Sequence, residues 1–165
     1  MELKPLSREG LVTALDRAEH YRLLNEAQEA ESICLDVLDM DPDNQRAVVT
    51  MILAVTDQFG RAVGATVRRA EELIEHLSSD YERVYYSGII CERWAKAQIR
   101  QGAPGSGANA YHWLQKAFGC YEKAIALQPA GHEDAVLRWN TCVRIMSRHA
   151  HVRPETDEGH QTFLE

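Results

Sequence analysis

The sequence predicts an all-α protein in which helices form antiparallel pairs and the pairs stack side by side. Three observations carry this. Ala110, Leu114, Ala117, Tyr121 and Ala124 recur at alternating steps of four and three, which puts them on one stripe of a helix that Pro129 stops. The close of that helix, Ala117, Tyr121, Ala124 and Pro129, has the spacing of Ala30, Cys34, Val37 and Pro42, so one helix ending occurs twice. No window alternates apolar and polar residues, and nothing reads as a strand.

Taken in order, Ser7 is a candidate N-cap for a first helix over about 7–24, with Leu11, Ala14, Leu15, Ala18 and Tyr21 on one face. A polar break at Asn25 and Glu26 follows. Ala27, Ala30, Ile33, Cys34, Val37 and Leu38 then form a second stripe, and so short a connection returns the chain alongside itself as a hairpin. Asp43 or Asn44 caps a third helix carrying Val48, Met51, Ile52, Val55 and Phe59, with Gly60 as its C-terminal glycine. A fourth helix is expected over Val63, Val67, Ala70, Ile74 and Leu77, completing a second hairpin. After Ser78-Ser79-Asp80, a fifth runs from about 81 to 101 with Val84, Gly88, Cys91, Ala95 and Ile99 along one side. The Gly102 to Gly107 stretch breaks it and leads to the sixth. A seventh, from near His132, carries Ala135, Val136, Trp139, Cys142, Val143 and Met146 and would cover the end of the stack.

Length and composition suit one domain. The chain has 165 residues, 45% of them hydrophobic. We expect a single helical-repeat domain over 1–150 and an acidic, loose tail over 151–165. Eighteen Lys and Arg against 25 Asp and Glu give a net charge of -7, which argues against nucleic acid and anionic membrane surfaces as partners. Residues 1–10 lack the apolar run of a signal peptide, and no stretch has the roughly 18 apolar residues of a membrane span. Cys34, Cys91, Cys120 and Cys142 lie far apart on apolar faces, as free thiols do in a reducing compartment. The expected location is cytoplasmic.

Residues 11–44 place Tyr21, Ala30 and Pro42 where the roughly 34-residue helix-turn-helix signature expects Tyr, Ala and Pro. Gly88, Ala117, Tyr121, Ala124 and Pro129 fit a third unit in the same way. On these residues the chain resembles a divergent tetratricopeptide repeat protein. It departs from that pattern at Ala14, Arg17, Ala18 and Cys34, and at Glu82, where a proline would stand. The corresponding alanines Ala30, Ala70 and Ala117 are 40 and 47 residues apart, and about 17 extra residues fall within the third unit. The resemblance implies a right-handed superhelical stack whose hollow side, lined by the first helix of each pair, receives an extended peptide or a helix of a partner protein.

On the first helices, the residues opposite the core stripes are Asp16, Glu19 and Arg22, then Arg46, Val49, Thr50 and Leu53, then Tyr85, Ile89, Arg93 and Lys96. From these, the expected partner-binding set is Glu19, Arg22, Arg46, Thr50, Tyr85, Ile89, Arg93 and Lys96. Aromatic and apolar groups interleaved with cations suit an apolar side chain and an acidic group. Alternatively, Tyr85 and Ile89 pack against the segment between helices five and six. Some relatives grip a terminal carboxylate with lysines and asparagines, but Leu15 and Glu19 stand on the relevant side of helix one, so that activity is not expected here.

Other chemistry finds little footing. The Gly102 to Gly107 loop has the glycines of a phosphate cradle, yet Ala108 and Asn109 stand where a Lys-Ser/Thr pair would be. His149, His151 and His160 raise a metal site, without a Cys-x-x-Cys or His-x-x-x-His pair to complete it. No catalytic constellation emerges, and no cofactor is expected. The terminal Phe163 could anchor the tail in the groove of the same or a neighbouring molecule. The expected function is therefore a non-catalytic interaction adaptor. The alternatives are a small helical metal- or ligand-binding protein centred on His149 and His151, and a self-assembling subunit that associates through Tyr85 and Ile89.

Overall fold

In the computed structural model, which describes residues 2–155, seven α-helices follow a short 3-10 turn, and no strand occurs among the described residues. They are α1 (Leu11–Leu23), α2 (Ala27–Met40), α3 (Gln45–Asp57), α4 (Val67–Ile74), α5 (Asp80–Gln101), α6 (Ser106–Leu127) and α7 (Asp134–Arg148). Each helix packs on the next, α1 also meets α3, and α3 meets α5.

Local chemistry sets most boundaries. Asn44 Oδ1 accepts from the Ala47 N–H at 3.0 Å to start α3, Thr66 Oγ1 from Arg69 N–H at 3.2 Å to start α4, and Ser79 Oγ from Glu82 N–H at 3.3 Å to start α5. Ser7 accepts from the Gly10 N–H, but the unit it caps is the 3-10 turn Arg8–Gly10, so α1 begins later than the sequence predicts. Gly102, at φ +62°, ends α5.

Two expectations are corrected. The fourth helix does not begin at Val63, which stands fully in solvent; turns occupy 58–66 and only Val67–Ile74 is helical. The fifth helix has the expected length, but the sixth begins earlier than expected. Helices α5 and α6 have 22 residues each, against 13 and 14 for α1 and α2, so the surplus is taken up as helix. The break expected over Gly102 to Gly107 shrinks because α6 already starts at Ser106.

Helix α5 is the wall between two apolar clusters. Ile90 and Ala97 join Ala30, Cys34, Ile52, Phe59 and Ala70 on one side, while Ile89 and Ala95 join Leu114, Ala117, Tyr121 and Cys142 on the other. Burying two faces of one helix is what lets successive pairs share a core, since no pair hides its apolar surface alone. The packing continues past α7: Val152 is buried in the second cluster, two residues beyond the expected domain end at 150. Gly107 makes that crossing possible, because a β-carbon there would stand 2.2 Å from the His151 carbonyl oxygen.

Candidate functional site

A row of charged side chains runs across α1, α3, α5 and α7. Asp57, the last residue of α3, receives Arg22 Nε from α1 at 2.9 Å and Arg93 Nη1 from α5 at 2.7 Å. Arg93 Nη1 also donates to Leu53 O at 2.9 Å and Thr56 Oγ1 at 2.6 Å, so its charge meets the negative end of α3. Burial holds the Arg93 pKa below its ordinary value, and Asp57 opposes that shift. One carboxylate thus ties three helices together.

Glu92 is the second node. Its side chain is wholly buried, and charged groups are tolerated there only when paired and hydrogen-bonded. Tyr121 Oη of α6 donates to Oε2 at 2.7 Å, Lys96 Nζ reaches it from one turn along α5, and Arg138 Nη1 of α7 lies 3.4 Å from Oε1. Burial and the neighbouring Glu92 carboxylate push the Tyr121 phenol well above the usual range, so it stays a donor. Arg138 loses charge stability to burial, but the Glu92 carboxylate, with the nearby Tyr85 hydroxyl and Tyr121, more than restores it, so its pKa lies above the ordinary value.

The residues expected to contact a partner fall into three groups. Glu19 and Arg46 pair at 2.7 Å at the start of the row, where Arg46 also reaches Asp16 at 2.6 Å. Arg22 and Arg93 meet at Asp57, Lys96 pairs with Glu92, and Tyr85 lies beside the ring of Tyr121, the donor to Glu92. Tyr85 also packs against the rings of Tyr81, Tyr86 and Tyr121. Thr50 and Ile89 are corrections, since they are 3% and 1% exposed and offer nothing to a partner. Thr50 Oγ1 turns back to Arg46 O at 2.8 Å, and Ile89 is enclosed by the cluster that α6 and α7 complete.

Asp57, Glu92 and Arg138 were missed by sequence reasoning. The four-residue step from Glu92 to Lys96 was the one available signal. Around these two carboxylates stand four cations, Arg22, Arg93, Lys96 and Arg138, each partly open to solvent. This part of a chain of net charge -7 is therefore locally cationic. Beside it a cleft of about 520 Å³ is lined by Arg22, Asn25, Glu26, Asp57, Gln58 and Arg61.

The histidine pair is sparse by comparison. The rings of His149 and His151 are 5.6 Å apart, and no group of three metal-ligating side chains occurs among the described residues. His160 and Phe163 lie outside the described residues. No helix among the described residues is long and apolar enough to cross a membrane. Comparisons with protein families, with curated proteins and with solved structures find no match to this chain.

Proposed function

We propose that this protein is a non-catalytic interaction adaptor, built as a right-handed superhelical stack of tetratricopeptide type, that receives a peptide or helix of a partner protein along α1, α3, α5 and α7. The observation that carries the reading is the row from Arg22 to Arg138. Four cations crowd two carboxylates, Asp57 and Glu92, and Tyr85 stands beside them. The contacts of α1 with α3 and of α3 with α5 support the stacked arrangement.

Such a surface is preshaped. Side chains already held in ion pairs lose little further freedom on binding, so a few anchor contacts can set the affinity. The surplus of positive charge favours a partner segment with acidic residues, and the Tyr85 ring favours an apolar anchor among them. The protein acts in the cytoplasm on this reading, where its four free cysteines remain reduced.

Selection of a displayed random-peptide library on the full chain tests the proposal. Peptides enriched on the wild type should lose about tenfold or more in affinity for Tyr85→Ala and for Lys96→Ala, in line with the loss of one anchor contact. They should keep their affinity for Leu35→Ala, a control on the exposed face of α2. Equal affinity for all the variants would overturn the choice of face.

A further inference from the structure

We propose that the start of α6 is a binding site for a phosphate group, free or as the ester of a small molecule. A cleft of about 570 Å³ opens there, lined by Gly105, Ser106, Gly107, His151, Arg153 and Glu155. The Gly102 to Gly107 loop has no cation of its own, nor the Lys-Ser/Thr pair that follows a phosphate cradle. The fold supplies positive charge from the other side of α7. The site shares no residue with the charged row, and neither reading rests on the other.

The backbone presents donors. Gly105, at φ +78°, is the N-cap of α6 and gives it no side-chain cap. Asn109 N–H is the first to bond back along the helix, to Gly105 O at 3.0 Å, and the N–H groups of Gly107 and Ala108 have no acceptor among the described residues. Such donors, at the positive end of a 22-residue helix, favour an anion. Ser106 points to a ligand independently. It is only 5% exposed, what remains accessible of it lines the cleft, and its hydroxyl makes no hydrogen bond among the described residues. A buried hydroxyl without a partner is costly, and a bound oxyanion would accept from it.

Charge arrives with the segment that follows α7. Val152 N–H donates to His149 O at 2.8 Å and Arg153 N–H to His151 O at 3.1 Å, which turns the chain sharply, and burial of Val152 pins the turn against the core. His151 and Arg153 flank that anchor, and both line the cleft. Gly107 permits the approach, having no side chain to meet the His151 backbone. Glu155 lines the same cleft and opposes an anion, against the Arg153 guanidinium, the helix end and His151 when it is protonated. A phosphate monoester carries nearly two negative charges and three acceptor oxygens, enough for a hydroxyl, two N–H groups and a guanidinium together. A carboxylate would leave some of these donors over. The cleft falls within the range of small-molecule sites, about 300–1,000 Å³, so the organic part of an ester also has room.

The test titrates the full chain with sodium phosphate and, separately, with glycerol phosphate, at an ionic strength held constant by sodium chloride, and follows amide chemical shifts. Saturating shifts are expected at Gly105, Ser106, Gly107, Ala108 and Arg153, with a Kd of about 1 mM or below. Arg153→Ala, a change at an exposed side chain that leaves the fold intact, should weaken binding at least about fivefold through loss of a charge-assisted hydrogen bond. Ser106→Ala should weaken it at least about threefold without lowering the melting temperature in phosphate-free buffer, since the hydroxyl has no partner in the protein to lose. Arg68→Ala, an exposed cation of α4, should bind as the wild type does. Tighter binding of glycerol phosphate assigns the site to an ester, and equal affinity assigns it to free phosphate. Absence of saturating shifts at the start of α6 up to about 10 mM of either probe would overturn the proposal, as would unchanged affinity in Arg153→Ala and Ser106→Ala.

Discussion

The ring of Tyr121 occupies the space in which a side chain on Gly88 would begin: a β-carbon at Gly88 would lie 2.5 Å from its Cε1 and 2.8 Å from its Cδ1. Both residues are buried, and the close approach sets the spacing of α5 and α6, the most extensively packed pair in the chain. Glycine in a helix interior ordinarily costs about 1 kcal/mol relative to alanine. Here that cost admits an aromatic ring between two helices.

Replacing Gly88 by alanine is therefore expected to destabilise the protein by about 1–3 kcal/mol in urea titrations, as overpacking a filled core does, despite the better helix propensity. Gly119→Ala supplies the contrast. Nothing lies within 4 Å of a β-carbon there, so the same change is expected to stabilise by about 0.5–1 kcal/mol.

Tyr121→Phe leaves the ring in place and removes the donor to Glu92. A buried carboxylate that loses one of its hydrogen bonds is expected to cost about 1–3 kcal/mol of unfolding free energy. Stability equal to wild type would mean that Lys96 and Arg138 satisfy Glu92 without help.

Asp57→Ala takes the shared partner from Arg22 and Arg93 and leaves two partly buried guanidiniums facing each other. A loss of about 2–4 kcal/mol is expected, somewhat below that for a fully buried pair. Arg46→Ala breaks pairs that are largely exposed, so it should cost no more than about 1 kcal/mol and lose even that in 1 M salt. Chemical denaturation of both variants, with and without salt, compares the two.

Acid should act through Glu19. A hydrogen bond from Arg46 holds its carboxyl below the ordinary value of 4.5, so its folded pKa is depressed relative to the unfolded chain. The stability this gives is fully present above the unfolded value and is lost as pH falls through the folded one. The melting temperature of Glu19→Gln should fall less steeply than that of wild type on acidification below about pH 4.5. Parallel curves would show that the pair does not persist in solution.

The parts of this fold that were legible in the sequence are those decided within a few residues. Asn44 capping α3, Ser79 preceding α5 and Gly102 ending it all depend on side chains next to the backbone they terminate. The start of α4 was misread because Val63 and Val67 share a helical spacing, yet Gly60 and Gly64 sit beside Val63, and the side-chain cap comes later, at Thr66. The charged row was half legible. Arg22, Arg93 and Lys96 stood out as cations on the right helices, but a single-stripe reading of α5 leaves Ile89 on the outside and gives no reason to bury Glu92. Both are covered only because α6 and α7 arrive from later in the chain and add their own surface to the same helix.

Amide chemical-shift mapping by NMR, with an acidic library-selected peptide titrated into the full-length protein, tests the adaptor reading most directly. The expected result is a continuous set of shifted amides on α1, α3, α5 and α7 around Arg22, Tyr85, Arg93 and Lys96, with α2 and α4 unmoved. Shifts concentrated on α2, α4 or α6, with the Arg22 to Arg138 row silent, would contradict it.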